Sequence, residues 1–215
     1  MLKTSDGQEM TPTKIIGVGR NYAEHIKEMQ SETTSKPVLF IKPPTSITDI
    51  NQPIKIPQNA GSVHHEVELA VCIGKTVANA TLDLADQYIA GYGLALDLTL
   101  RDIQKEAKHN GLPWAVAKGF DNACPISDII PVSKAPDVNN CHIRLSVNGS
   151  LRQEGHTSQM IFKIPALIHY ISQFFTLLPG DLILTGTPSG VGPLHSGDLI
   201  DASIENLIHI QTKIV

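Results

Sequence analysis

Short apolar runs punctuated by glycine and proline dominate the chain. Residues 14–18 read as a strand running into Gly19-Arg20-Asn21, followed by a brief helix over 22–30 and a polar loop over 31–36. Residues 37–42 form a second strand, stopped by Pro43-Pro44 because proline cannot donate to a ladder. Residues 54–57 are a short extended piece between prolines. The clearest strand spans 65–74. Residues 82–89 look helical, and 91–97 form a buried strand ending in a carboxylate. A helix is predicted from Thr99, with Asp102 three residues on in a capping-box-like arrangement, ending at Asn110-Gly111. Residues 145–147 enter a hairpin turn at Asn148-Gly149, and Pro165 opens a helix reaching about Phe175. Strands at 182–185 and 199–200 flank a glycine-rich loop, 186–192. Many short strands, few helices and no repeat or linker predict a β-rich α+β domain with a curled sheet, spanning 1–215 as one unit.

Composition narrows the class. An apolar share of 41% over 215 residues is enough for a sizeable core and excludes a disordered chain. Aromatic residues are only 5%, so that core is aliphatic. Lys plus Arg number 17 and Asp plus Glu 21, a net of −4, which argues against a nucleic-acid binder. The longest uncharged run, 164–180, is shorter than the ~20 residues of a membrane helix and is interrupted by polar residues. No apolar signal core opens the chain, and Cys72, Cys124 and Cys141 show no CxxC spacing. They read as reduced thiols, and the expected location is cytoplasmic. Nine histidines are the first hint of chemistry.

The strongest local feature is Glu66-Val67-Glu68. On a strand, positions i and i+2 share a face, so Glu66 and Glu68 lie side by side, with Ala70 and Cys72 continuing that face. Two enclosed carboxylates repel unless a cation sits between them. Asp97 could supply a third, and an all-oxygen set suits Mg²⁺ or Mn²⁺, with Ca²⁺ a further candidate, and disfavours zinc. Such a site calls for lysine nearby. Spacing alone leaves a solvated strand face equally open. His64 and His65 point to opposite faces, so His65 reads as a packing residue rather than a ligand. His25 and Glu28 share one helix face. They form either an exposed pair or a general base oriented by its carboxylate. The loop 186–192 lacks P-loop and GxGxxG spacing, but its backbone N–H groups and Thr187 can meet a carboxylate. No GxSxG elbow is present, and Cys124 has no evident catalytic partner.

In order, Gly19-Arg20-Asn21-Tyr22 with His25 and Glu28, Phe40-Ile41-Lys42-Pro43, His64-His65-Glu66-Val67-Glu68, Ala95-Leu96-Asp97, Arg101-Asp102 with Gln104, Trp114, Lys118-Gly119-Phe120-Asp121 and the run Gly186-Thr187-Pro188-Ser189-Gly190-Val191-Gly192 resemble the fumarylacetoacetate hydrolase family. They span 19–192 and fit its short, single-domain branch of acylpyruvases and oxaloacetate-acting enzymes. The resemblance implies a mixed β-roll, dimeric, with a lid over about 21–36. It implies metal ligands Glu66, Glu68 and Asp97, the catalytic dyad His25 and Glu28, and Lys118 steadying negative charge. Arg20, Gln104, Thr187 and Lys42 fall at its substrate-binding positions. The expected substrate is a 2-oxo acid. The expected reaction is hydrolysis of the C–C bond of a 2,4-dioxo acid, such as fumarylpyruvate or acetylpyruvate, through a metal-bound pyruvate enolate. The alternatives are oxaloacetate decarboxylation or keto–enol tautomerisation, a muconate-type isomerisation, or a non-catalytic binding role. Neither nucleic acid nor membrane is expected as a partner.

Overall fold

A computed structural model describes residues 1–215 except Gln30, Ser31 and Thr33. Twelve strands and four helices place the site. The strands are β1 (Ile15–Gly19), β2 (Val38–Lys42), β3 (Ile47–Asp49), β4 (Val63–His65), β5 (Val67–Ile73), β6 (Ile89–Leu96), β7 (Cys124–Ile126), β8 (His142–Val147), β9 (Ser150–His156), β10 (Leu182–Leu184), β11 (Leu199–Ile204) and β12 (Ile208–Lys213). The helices are α1 (Ala23–Glu28), α2 (Arg101–His109), α3 (Ala115–Gly119) and α4 (Ile164–Ser172). The main sheet runs β2-β1-β10-β5-β6-β7-β3, with Ile130–Pro131 beside β6. It is mixed: β10 pairs parallel with β1 and antiparallel with β5. A second, antiparallel sheet runs β9-β8-β11-β12, and β4 bridges Gly192–Pro193 and Thr99–Leu100 in a small third one. This is the curled, β-rich architecture that the pattern predicts.

Alternation along β5 explains its central place. Val67, Leu69, Val71 and Ile73 enter the large aliphatic core beneath the second sheet and α4. Ala70 and Cys72 enter a smaller core with Ile15, Leu182 and Leu184. A strand buried on both faces needs apolar residues throughout, and the only charged residue in it is Glu68.

Several expectations shift. The strand expected over 65–74 is two strands broken at Glu66, where the chain passes from the small sheet to the main one. The 82–89 segment is a 3₁₀ helix, Leu82–Tyr88. The helix expected from Thr99 starts at Arg101, and no side chain caps it. Thr99 and Leu100 pair with β4, and the Asp102 carboxylate accepts from the Ser62 N–H at 2.8 Å, so the capping box does not form. The hairpin at Asn148-Gly149 is present: both residues have positive φ, 52° and 76°, as a two-residue turn of the I′ type requires. The helix and loop expected over 22–30 and 31–36 fall partly on Gln30, Ser31 and Thr33, which lie outside the described residues. Among the described residues no helix is long and apolar enough to cross a membrane, and the three cysteines are free and buried.

Candidate active site

The break at Glu66 positions the site. β5 and β6 pair antiparallel with Val67 opposite Leu96 and Glu68 opposite Ala95. Glu66, Glu68 and Asp97 therefore converge at one end of the pair, and the Asp97 N–H donates to the Glu66 carbonyl at 2.8 Å. One oxygen from each carboxylate lies within 4.8 Å of the others, and all three residues are buried. Three positive groups face them. The Lys118 ammonium of α3 lies 2.8 Å from Glu66 Oε2, 2.5 Å from Asp97 Oδ2 and 2.7 Å from Thr99 Oγ1. Arg101 donates to Glu66 Oε1 at 2.6 Å and to Gln104 Oε1 at 2.6 Å. The Lys42 ammonium lies 2.6 Å from Asp97 Oδ1. Three acids against three cations sum to zero, as burial of this many charges demands.

That neutrality is unevenly shared. Burial would raise Glu66, but Lys118 and Arg101 outweigh it and hold the carboxyl well below the usual range. Burial, then Asp97 and Glu66, push Glu68 well above it. The Gly186 N–H opposes that rise, donating to Glu68 Oε2 at 2.6 Å. Burial would lower Lys118, but Asp97 and Glu66 keep it above its ordinary value. A group of carboxylates that cannot all ionise comfortably is suited to a divalent cation. The donors are all oxygen, with no thiol or imidazole among them, so the set fits Mg²⁺ or Mn²⁺ better than zinc.

The second half of the site comes from α1. His25 Nδ1 lies 3.1 Å from Glu28 Oε2, and the Gly190 N–H donates to both Glu28 oxygens at 3.0 and 3.1 Å. Position 190 requires glycine: its φ is +96°, and a Cβ there would sit 1.9 Å from the Arg152 carbonyl oxygen. The loop 186–192 thus holds one carboxylate of the triad through Gly186 and the dyad through Gly190. Gln153 of β9, fully buried, anchors the loop by donating to Thr187 Oγ1 at 2.7 Å and to the Pro188 carbonyl at 2.9 Å. Its Oε1 accepts from the Val67 N–H at 3.1 Å and lies 2.8 Å from His65 Nδ1. His65 is therefore the packing residue that its spacing indicates.

A cleft brings together Arg20, His25, Gln104, Lys118 and Thr187 above the three carboxylates, with Phe40 and Trp114 as an aromatic wall. The Lys118 ammonium stands 4.8 Å from the Phe40 ring centre. Two expected substrate contacts are modified. Lys42 does not line the cleft. It is fully buried behind Asp97 and donates to the carbonyls of Leu98, Lys118 and Ala123, so it holds Asp97 in place and does not reach the cleft. Thr187 lines the cleft, but its hydroxyl proton is committed to the Val67 carbonyl at 2.9 Å. The sequence assigns no place in the site to Arg101, Thr99 or Gln153. Arg101 could have been found as the cation nearest in sequence to Asp97. Gln153 carries no local signal, because only packing of the second sheet brings it under the loop.

Comparison with known proteins identifies the family. The fumarylacetoacetate (FAA) hydrolase C-terminal family matches residues 14–215. The chain belongs to the fumarylacetoacetate hydrolase family. It is 55% identical over 194 residues to the oxaloacetate tautomerase YcgM of Escherichia coli, covering 90% of this chain and 89% of that protein. It is 49% identical over 200 residues to the mitochondrial oxaloacetate tautomerase FAHD1 of Bos taurus, covering 93% and 90%. The crystal structure of fumarylpyruvate hydrolase from Pseudomonas aeruginosa, in complex with Mn²⁺ and pyruvate, superposes with a TM-score of 0.94 at 33% identity, covering 100% of this family member and 94% of that chain.

Proposed function

We propose that this family member is a divalent-metal-dependent oxaloacetate tautomerase, moving a proton between C3 and the 2-oxo oxygen of its substrate. The observation that carries the reading is the buried, charge-balanced Glu66, Glu68 and Asp97 triad facing His25 across one cleft. Two oxaloacetate tautomerases at 55% and 49% identity support it over the C–C hydrolysis that the sequence puts first. Held by the three carboxylates, Mg²⁺ or Mn²⁺ would polarise the 2-oxo group as a Lewis acid.

The chain's own residues supply the rest. Glu28 holds His25 through Nδ1, which leaves Nε2 to take the C3 proton in the keto-to-enol direction and return it in the other. Lys118, fixed among Glu66, Asp97 and Thr99, places an ammonium where negative charge grows on the substrate oxygen, which then receives from His25 the proton taken from C3. Arg101 fixes Gln104 at the cleft wall, where its amide orients the acid.

A second reading, hydrolysis of an acylpyruvate, draws on the same dyad, since an oriented imidazole also activates water. The fumarylpyruvate hydrolase likeness favours it. One panel separates the two: enol–keto conversion and decarboxylation of oxaloacetate, and cleavage of acetylpyruvate and fumarylpyruvate, each with Mg²⁺ or Mn²⁺ and again with chelator. Tautomerisation should exceed the other rates and fall to the uncatalysed level with chelator. Faster acylpyruvate cleavage, or tautomerisation that persists in chelator, overturns the proposal.

A further inference from the structure

One glycine-rich loop serves both halves of the site. Its Gly186 N–H holds Glu68, and four residues on its Gly190 N–H holds Glu28. Residues 186–191 belong to no helix or strand, so no ladder fixes the loop. Its seat is β9, an edge strand of the second sheet. Gly190 passes so close over the Arg152 carbonyl that a Cβ would not fit. Pro188 lies against Gly155, where an added Cβ would stand 2.5 Å from the proline Cβ. Between these two contacts Gln153 uses its whole amide. The Val67 N–H can only donate, so the amide oxygen faces β5 and accepts from it and from His65 Nδ1. The amide nitrogen then gives both protons to the loop, one to Thr187 Oγ1 and one to the Pro188 carbonyl. Thr187 donates in turn to the Val67 carbonyl, which closes the network. A bulge aims Gln153 inward. Leu145 pairs with Gln153 but Ser146 with Leu151, so Arg152 is an extra residue in β9. Leu151 and Arg152 are both exposed, and Gln153 beside them is fully buried.

We infer that Gln153, turned inward by the bulge at Arg152, is a positioning residue for Glu68 and Glu28 together, so that one side chain outside the cleft sets both the strength of metal binding and the orientation of His25. Gln153 does not line the cleft, and it acts only through the loop that it seats. An N–H donated to a charged carboxylate is among the stronger hydrogen bonds, and a loop that slips from its seat misaligns two of them at once. The inference rests on the reading of Glu66, Glu68 and Asp97 as a metal site. It holds whichever reaction that site performs.

Two variants move the loop by different routes. Gln153→Met keeps the length of the side chain and removes all four of its hydrogen bonds. Gly155→Ala leaves Gln153 in place and presses a methyl group against Pro188, so it carries the test if the first variant does not fold. Mn²⁺ affinity is measured by titration calorimetry without substrate, and kcat and KM are then measured at saturating Mn²⁺ on oxaloacetate and on fumarylpyruvate. In each variant Mn²⁺ should bind about tenfold more weakly and kcat should fall about tenfold, with KM little changed. Gly190→Ala disturbs only the Glu28 end and should lower kcat alone. A purely structural Gln153 would lower the melting temperature and leave Mn²⁺ affinity and kcat of the folded protein within about twofold, and that result refutes the inference. So does a loss of one quantity without the other, because the two ends of the loop would then be seated separately. A wild-type protein that cleaves fumarylpyruvate and leaves oxaloacetate unconverted overturns the tautomerase reading, and the same paired losses on fumarylpyruvate still support the role of Gln153.

Discussion

Lys42→Met separates a positioning lysine from a catalytic one. Methionine keeps most of the volume and the apolar stem but removes an ammonium that is completely buried. In the native protein that ammonium lies 2.6 Å from Asp97 and donates to the carbonyls of Leu98, Lys118 and Ala123. The loss is softened in two places. Asp97 keeps Lys118 at 2.5 Å, and the Ala123 carbonyl keeps the Leu98 N–H at 3.0 Å. What remains is one weakened buried pair and two carbonyls, of Leu98 and Lys118, that lose their lysine donor. Breaking a buried pair outright costs about 3–5 kcal/mol, so roughly 3 kcal/mol of unfolding free energy should disappear. That is a large share of the ~5–15 kcal/mol that holds such a domain. The site also passes from neutral to a net of −1, so a divalent cation gains more by binding. Urea unfolding in chelator should therefore show the full loss, and saturating Mn²⁺ should restore more stability to the variant than it adds to the wild type. A loss below about 1 kcal/mol in chelator, or an equal Mn²⁺ increment in both proteins, would refute the assignment.

Other substitutions test other parts. Glu68→Gln copies the shape of a protonated carboxyl, the form that burial and its acidic neighbours favour. Metal-free stability should hold or rise, while the thermal shift on adding Mn²⁺ and the turnover both vanish. Gly190→Ala forces a Cβ toward the Arg152 carbonyl and displaces the N–H that holds Glu28, so turnover should fall by about tenfold or more with metal affinity retained. For His64, burial, then Arg101 and His65, press the imidazole down to about 4 from 6.5. The unfolded chain takes up this proton first as pH falls. The associated stability is complete above about pH 6.5 and declines toward pH 4, and His64→Gln should flatten that slope in acid-unfolding curves. A proton-resonance titration of His64 centred near its ordinary value would contradict this.

The sequence carried the local parts of this site well and its long-range parts poorly. Period-two alternation around Glu66 and Glu68, with an apolar run ending at Asp97, was enough to suggest a third ligand, because neighbouring strands bring their ends together. The i, i+3 spacing of His25 and Glu28 works for the same reason, since a helix turn is local geometry. Thr99 was misread as a helix start. Its hydroxyl competes equally well for a cap or for a lysine, and only Lys118, nineteen positions away, decides between them. Lys42 was placed at the substrate only because it falls at a substrate-binding position of the family that the chain resembles. The fold instead closes α3 over it, and three backbone carbonyls that no pattern advertises accept its hydrogen bonds. Gln153 was invisible because its partners, Val67, Thr187 and Pro188, lie far along the chain and meet only when the second sheet packs on the first.

Charge arithmetic ties the proposed metal to the proposed substrate. Glu66, Glu68 and Asp97 against Lys42, Arg101 and Lys118 give a neutral base to the cleft. A divalent cation raises that base to +2, and burial makes an uncompensated +2 costly. Doubly ionised oxaloacetate restores neutrality at this base, whereas a 2-oxo monocarboxylate leaves +1. Metal and dianion should therefore bind cooperatively, each raising the affinity of the other by the same factor. Mn²⁺ titrated into the protein at saturating malate should bind more tightly than in its absence, and the corresponding gain with lactate should be smaller. Equal gains would mean that metal coordination by the ligand head accounts for the coupling without help from the cleft's charge.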